Sequence, residues 1–322
     1  MKSAPLQLIV SSIICSSVLL TACDSSKKPE SFDDLTSQGA YSLCINHNAS
    51  YAFAGSIHHG GSLWRLQPLD RLYNWNHQAE KNNNIVSCDF SPEGDFVATT
   101  DNRSIALWET KTGEAIWLWT APGDIHDISL NANGQYALLA MADYTATLFD
   151  IKNGGIKRIL RHDGIVSDVS IDQQGKLAAS ASDDLTARIW DLSNGQELQR
   201  LEHNNQVRRA EISPDGRFVF TSALGDPGRI WNSDTGEVIK EFPIKSGFYS
   251  SARFSENGSM LLTGTSSGKI QLWQSESAVL KKTWQAIPRN EWISSAVLIE
   301  DVAFAKEGYV ASGSNGRIFR LK

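Results

Sequence analysis

The stretch HDGIVSDVSIDQQGKLAASASDDLTARIWD, residues 162–191, decides the fold of this chain. Three short runs rich in Val, Ile, Ala, Ser and Thr are separated by Gln174-Gly175 and Asp183-Asp184, which predicts strands joined by tight turns. The third run ends on Ile189-Trp190-Asp191, and a further run follows it and ends at Leu201. The stretch and this last run together predict one unit of four strands joined by three tight turns.

The ending of this stretch, an aliphatic residue followed by an aromatic and a polar residue, recurs along the whole chain. Its seven copies are Leu63-Trp64-Arg65, Leu107-Trp108-Glu109, Leu148-Phe149-Asp150, Ile189-Trp190-Asp191, Ile230-Trp231-Asn232, Leu272-Trp273-Gln274 and Ile318-Phe319-Arg320. A turn glycine precedes each of five copies, and these glycines (Gly94, Gly134, Gly175, Gly216 and Gly258) lie 40 to 42 residues apart. A fixed period of this length predicts a repeat architecture with one four-stranded unit per repeat.

These markers resemble the WD-repeat β-propeller family, and the resemblance covers the chain from about residue 32 to its last residue. It implies an all-β fold, a seven-bladed β-propeller of four-stranded antiparallel blades over residues 32–322. The unit closest to the family pattern is the fourth, with His162, Ser180-Ala181-Ser182-Asp183-Asp184 and Ile189-Trp190-Asp191.

The last repeat is incomplete, because the chain stops at Lys322 just after the aromatic strand of that repeat. In the family the N-terminus commonly supplies the missing outermost strand. Phe32 and Leu35 have the spacing of Leu198 and Leu201, which belong to an outermost strand. We therefore expect an N-terminal strand to complete the last blade and close the ring, which would remove two open sheet edges.

The first residues are similar to a bacterial lipoprotein signal. Lys2 precedes an apolar run from Leu6 to Leu20, which is shorter than the roughly twenty residues that span a bilayer. Leu20-Thr21-Ala22-Cys23 resembles a lipobox, which implies a signal peptide at residues 1–22, cleavage before Cys23, and lipid on Cys23. An ordinary secretory signal with an incidental cysteine is the alternative.

The residues after the predicted cleavage site contain no apolar side chain to bury, so residues 23–31 are predicted to be a lipidated tether. The resemblance implies an anchor on the periplasmic side of the membrane. Asp24 resembles a signal for retention, which favours the inner membrane over the outer one.

A hydrogen-bonded set that ties the strands of a blade together is implied by the family pattern for His162, Ser180, Asp184 and Trp190. The same residue types could suggest a catalytic triad, but that needs an exposed serine beside an oxyanion hole, and Ser180 does not lie in a Gly-x-Ser-x-Gly sequence. We therefore predict a structural set and no enzyme activity. The fifth repeat keeps His203 and Trp231 but has Gly225 where Asp is expected, so most blades are predicted to rely mainly on apolar packing.

Composition excludes several functions. The formal net charge is −6, and adjacent basic residues form only short pairs such as Lys27-Lys28 and Arg208-Arg209, which argues against nucleic acid. His58 and His59 could bind a metal ion, but we predict that they lie in a solvent-exposed turn. No cofactor is predicted. Cys44 and Cys88 fall on neighbouring inner strands, where we expect two buried, unpaired thiols rather than a disulfide.

One spacing departs from the period, because Gly258 and Gly308 are fifty residues apart. The extra residues, around 286–292, include Arg289 and Trp292, which are typical anchors of interfaces. These two residues, with Arg208 and Arg209, are candidates for binding a partner. A surface insertion without function is the alternative.

A membrane-anchored scaffold for an unidentified protein partner is the predicted function. The alternative is a propeller that binds a small ligand or catalyses a reaction in its central channel. The sequence disfavours that alternative, because we find no cluster of His, Asp or Arg that repeats across the predicted inner strands.

Overall fold

The computed structural model describes residues 26–57, 60–77, 84–290 and 296–322. Within these residues the chain forms seven antiparallel sheets of four strands each, arranged as the blades of a β-propeller. The blades, in order, are β2–β5 (Ala40–Ile45, Tyr51–Ser56, Gly60–Leu66, Leu69–Trp75), β6–β9 (Ser87–Phe90, Phe96–Thr100, Ser104–Glu109, Ala115–Thr120), β10–β13 (Ile125–Leu130, Tyr136–Met141, Thr145–Asp150, Ile156–Arg161), β14–β17 (Val166–Ile171, Leu177–Ser182, Thr186–Asp191, Gln196–Glu202), β18–β21 (Val207–Ile212, Phe218–Ala223, Gly228–Asn232, Val238–Phe242), β22–β25 (Tyr249–Phe254, Met260–Thr265, Lys269–Gln274, Val279–Gln285), and β26–β28 (Ile299–Phe304, Tyr309–Gly313, Arg317–Leu321) with β1 (Ser31–Asp34). The predicted fold class is confirmed.

The core of the ring lies between neighbouring blades rather than inside one blade. One cluster of buried side chains joins Leu148 of blade three to Val169 and Trp190 of blade four. In the middle strands nearly every position is buried, because both faces of each sheet pack on a neighbour. The outermost strands instead alternate exposed and half-buried residues, since one of their edges faces solvent.

The ring closes as predicted. Strand β1 pairs antiparallel with β28, placing Ser31 opposite Arg320 and Asp34 opposite Arg317. Side chains reinforce this pairing, because the Arg317 Nε donates to Asp34 at 3.0 Å and Arg320 pairs with Asp33. The first strand and the last strand of the chain therefore share one sheet.

Part of the predicted tether is docked on the propeller rather than free. The Lys27 N–H donates to the Thr283 carbonyl at 2.9 Å, and the Gln285 N–H donates to the Lys27 carbonyl at 3.0 Å. Pro29 is buried, although the segment carries no large apolar residue. Backbone hydrogen bonds do not need apolar side chains, which is why the composition of residues 23–31 did not reveal this contact.

Cys44 and Cys88 form a disulfide, so the prediction of two unpaired thiols is wrong. Their Cα atoms are 6.0 Å apart, at a separation that suits a disulfide. The prediction placed the two cysteines on the innermost strands of neighbouring blades and expected that their side chains would not converge. The facing sides of β2 and β6 instead bring the two side chains together. The bond covalently joins blade one to blade two.

The upper face of the ring carries the turns between the second and third strands of each blade and the segments that connect successive blades. The described residues between β25 and β26, 286–290 and 296–298, lie on this face and include part of the predicted insertion. In the residues that the structure covers, no helix has the length and apolar character needed to cross a membrane.

Candidate functional site

A central channel with a cavity of about 690 Å³ runs between the inner strands of all seven blades. The ionisable groups that those strands direct toward it are mostly acidic: Asp89, Asp127, Asp168, Glu211, Glu300 and Asp301, with Arg209, Arg253 and His126. The expectation that no such cluster repeats across the inner strands is therefore wrong. The missed signal is an Asp followed by an aliphatic and a small residue, as in Asp127-Ile128-Ser129, Asp168-Val169-Ser170 and Asp301-Val302-Ala303.

Most of these carboxylates hold the blades together. Each accepts a hydrogen bond from a backbone N–H on the inner strand of the next blade. The pairs are Asp89 with Leu130 at 2.8 Å, Asp127 with Val169 at 3.2 Å, Asp168 with Ala210 at 2.7 Å, and Asp301 with Ile45 at 2.8 Å. The channel lining thus has a structural role at four of the blade junctions.

The two channel arginines are engaged by the same carboxylates. Arg209 pairs with Asp168 at 2.8 Å and with Glu211 at 3.0 Å. Arg253 contacts both oxygens of Asp301, at 2.9 and 3.1 Å. Arg209, predicted as a partner-binding residue, therefore lies in the channel wall and not on an outer surface.

Burial in the channel disfavours the charged form of its acids. It raises the pKa of Asp89 to about 7, and this effect outweighs the opposing hydrogen bond from Leu130. Burial, with the neighbouring Asp301, raises the pKa of Glu300 to about 8. The channel therefore carries less negative charge at neutral pH than its composition suggests.

The structure brings together the four residues predicted as a structural set in blade four. The His162 imidazole contacts Asp184 at 3.0 Å through Nδ1 and Ser180 at 2.7 Å through Nε2. The indole of Trp190 donates to the same Ser180 Oγ at 2.8 Å. Ser180 has no exposed surface, so no substrate reaches its hydroxyl in this structure.

The charges in this set are fixed by their surroundings. Burial would raise the pKa of Asp184, but hydrogen bonds from His162 and Thr186 outweigh it and hold that pKa below its usual value. Burial lowers the pKa of His162, and the bond to Asp184 only partly offsets this. A neutral imidazole therefore links the loop before blade four to its second strand.

Blade two carries a similar set that the sequence pattern did not indicate. There His77 and Trp108 both contact the Thr99 hydroxyl, each at 2.8 Å. Blade five, where the sequence keeps His203 and Trp231, repeats this arrangement. His203 contacts the Thr221 hydroxyl at 2.8 Å, and the Trp231 indole donates to it at 2.6 Å. Blades two, four and five therefore each carry a His–Ser/Thr–Trp set.

In blade five, the acidic residue of the set is displaced by one position along the chain. Asp226, directly after Gly225, lies 3.9 Å from His203 and accepts the Asn204 N–H at 3.0 Å. The acid is thus present, one position later than the family pattern puts it.

Two large side chains stand on the upper face in a backbone conformation that normally belongs to glycine. Tyr144 and Leu185 both have φ of 70° and end the turns before the third strands of blades three and four. In blades six and seven the last residue of the same turn is glycine, Gly268 or Gly316. Tyr144 is 50% exposed and Leu185 is 43% exposed, so burial does not compensate for the strain.

The remaining candidates have different environments. The Arg289 Nε donates to the Asn315 carbonyl at 2.6 Å, and its guanidinium also contacts Thr36 and Asp34. Arg289 is thus held against the closing segment. Arg208 is 30% exposed on the upper face and pairs with Asp183 at 3.1 Å.

Several predicted features lie outside the described residues: Cys23 and the signal at 1–22, His58-His59, and Trp292. Among the residues that are described, no group of three or more His, Cys, Asp or Glu side chains is placed to hold a metal ion.

The seven sheets, the closing strand and the His–Ser/Thr–Trp sets define this protein as a seven-bladed β-propeller. Residues 71–109, 155–191 and 236–274 match the family model described as WD domain, G-beta repeat, so the chain carries WD40 repeats. Each matched segment begins within or just before the outermost strand of one blade and ends with the aromatic strand of the next blade. A comparison with curated proteins gave no match. Propellers of WD40 repeats are typically scaffolds for protein interactions.

Proposed function

We propose that this protein is a non-catalytic scaffold that binds another protein through its upper face. It does so while anchored by lipid on Cys23 to the periplasmic side of the inner membrane. The observation that carries the binding surface is the pair Tyr144 and Leu185. Residues in this conformation are strained, and such strain concentrates at functional sites. Exposed Tyr and Leu at equivalent places on neighbouring blades form a rigid pair of apolar contacts.

The charge around this pair indicates the chemistry of the partner. Asp163, in the segment between blades three and four, has a side chain that is 80% exposed although it pairs with Arg188. Asp143 precedes Tyr144, and Asp183 lies two residues before Leu185. A partner segment with an apolar side chain flanked by Lys or Arg complements this surface. Arg208, paired with Asp183, stays a candidate contact at its border.

The central channel has less support as the working site. Four of its six inner-strand carboxylates accept backbone N–H groups of the next blade, and both of its arginines are paired. If these carboxylates and arginines bound a ligand instead, the hydrogen bonds and ion pairs that join neighbouring blades would be lost. A small-ligand site there would depend on Glu300 and on His126 near the upper end of the channel.

The double change Tyr144→Gly, Leu185→Gly should move stability and binding in opposite directions. Glycine relieves roughly 1–2 kcal/mol of strain at each position, partly offset by the greater entropy of its unfolded chain. The melting temperature should therefore stay the same or rise. Loss of two exposed anchors should cost about 2 kcal/mol or more of binding, on the order of thirtyfold in affinity. The measurement pairs a melting curve with quantitative recovery of partners from crosslinked membranes.

Ala278 provides the matched control, because it has φ of 53° in a turn of blade six, away from the proposed surface. Ala278→Gly should leave partner recovery unchanged. A Tyr144→Gly, Leu185→Gly protein that melts normally and recovers the same partners in the same amounts would refute the proposed surface.

The anchor is supported by the sequence Leu20-Thr21-Ala22-Cys23 and by the disulfide, since disulfides persist in oxidising compartments. Asp24 favours the inner membrane. Cells that make the protein should incorporate labelled palmitate into it, and Cys23→Ala should abolish that incorporation. Wild-type protein that takes up no label would refute the anchor.

A further inference from the structure

The outer edge of blade six receives the N-terminal segment of the chain. Ser26 to Lys28 run beside β25, held by the hydrogen bonds that join Lys27 to Thr283 and Gln285. We name this region the blade-six edge and define it as residues 26–30, 275–285 and Lys322. Everything that connects the ring to residues 1–25 passes along it.

The blade-six edge is basic in a chain whose formal net charge is −6. It holds five lysines (Lys27, Lys28, Lys281, Lys282 and Lys322) and two glutamates (Glu30 and Glu276). Glu30 pairs with Lys322 at 2.8 Å. The Lys282 ammonium lies 5.4 Å from the centre of the Tyr309 ring. The side chains of Lys27, Lys28 and Lys281 are exposed.

Apolar side chains lie directly beside these charges. Val279 is 47% exposed and Leu280 is 43% exposed at the start of β25, and Lys281 follows them. Basic groups that flank exposed aliphatic side chains suit the boundary between lipid headgroups and acyl chains. They suit a polar protein partner less well, because charged residues are depleted at the centre of protein interfaces.

The position of the predicted anchor limits how far this edge can lie from a bilayer. Lys27 lies four residues after Cys23. At roughly 3.5 Å per residue this span is at most about 14 Å. That upper limit is less than two Debye lengths of about 8 Å at physiological ionic strength, so an anionic membrane would attract the lysines, most strongly at low salt.

We propose that the blade-six edge is a membrane-binding surface, which takes anionic phospholipid headgroups on Lys27, Lys28 and Lys281 and places Val279 and Leu280 at the headgroup boundary. This inference rests on the proposed anchor. It orients the ring with blade six toward the bilayer. Blades three and four, which carry the proposed partner surface, then face away from the membrane.

Vesicle binding by the ring without lipid tests this surface. Residues 24–322 contain all strands of the closed propeller, so this form keeps the complete fold. It should sediment with vesicles of phosphatidylglycerol and phosphatidylethanolamine at low salt, and not with phosphatidylcholine vesicles. Each lysine near an anionic bilayer changes the partition coefficient by roughly fivefold. The triple change Lys27→Gln, Lys28→Gln, Lys281→Gln should therefore lower it on the order of a hundredfold.

A matched control removes the same charge elsewhere. Lys111, Lys152 and Lys176 are exposed on blades two, three and four. Their change to Gln should leave the partition coefficient within about twofold of the unmodified ring. Equal losses in the two triple variants would show that net charge alone matters and would overturn the proposal. So would a ring that does not bind phosphatidylglycerol vesicles at low salt.

The outcome is separable from that of the anchor. The vesicle assay uses protein without lipid, whereas palmitate incorporation is measured on the full chain in cells. Absence of palmitate with normal vesicle binding would reject the anchor and keep the surface. Normal palmitate with no vesicle binding would reject the surface and keep the anchor.

Discussion

A chain that begins at Leu35 should be far less stable than a chain that begins at Ser31, because the two differ only by strand β1. The shorter chain loses four paired positions with β28. It also leaves the largely buried Arg317 without Asp34. At roughly 1 kcal/mol per hydrogen bond, plus the cost of an unpaired buried charge, the loss is about 5 kcal/mol or more. The melting temperature should fall by roughly 10 °C or more.

The chain that begins at Ser31 is the control, since it also lacks the signal and the tether. Compared with a chain that begins at Asp24, it loses the backbone bonds of Lys27 and the burial of Pro29. Its melting temperature should fall by only a few degrees. The shorter chain should in addition aggregate, because β28 becomes an open edge. Equal melting temperatures for the Leu35 and Ser31 chains would show that β1 does not close the ring.

The fold could be predicted because the repeat is redundant. Seven copies of one three-residue pattern fix the number of blades even where other markers are missing, as in blade one. Closure was also predictable, since Phe32 and Leu35 match an outermost strand. The docking of Lys27 was not, because it depends on backbone hydrogen bonds that leave no mark on the side-chain pattern.

The site was only partly predictable, for reasons of register. The set in blade four follows the family spacing, so His162, Ser180, Asp184 and Trp190 could be found by position. In blade five the acid is displaced by one residue to Asp226. The channel acids were hidden by a different irregularity. A bulge shifts the register between Ile125 and Asp127 and at the equivalent place in most other inner strands, so alternation along the strand does not predict which residues face the channel.

The strained pair on the upper face left a signal in the sequence that was not used. Tyr144 and Leu185 occupy a turn position where the sixth and seventh repeats have glycine. A bulky residue at such a position conflicts with local conformational preference. Residues that violate local backbone preference are expected at functional sites, because function there can require a side chain that the backbone conformation disfavours.

Loss of the disulfide between Cys44 and Cys88 should produce the second large effect on stability. The bond closes a loop whose ends are 44 residues apart. In the chain-entropy description, a loop of this length contributes about 4 kcal/mol. The variant Cys44→Ala, Cys88→Ala should therefore melt roughly 8–15 °C below the oxidised protein. Calorimetry of chains that begin at Ser31 would measure this, because Cys44 and Cys88 are their only cysteines.

A reducing agent provides the internal control for this prediction. A reducing agent should lower the melting temperature of the oxidised chain and leave that of the Cys44→Ala, Cys88→Ala variant unchanged.

Titration of free thiols should find none in protein that is exported through its own signal. Protein made in a reducing cytosol without residues 1–22 should instead show free Cys44 and Cys88, because disulfides do not persist there. Two free thiols in the exported protein would contradict the disulfide, and would also remove one of the two observations that support export of this propeller.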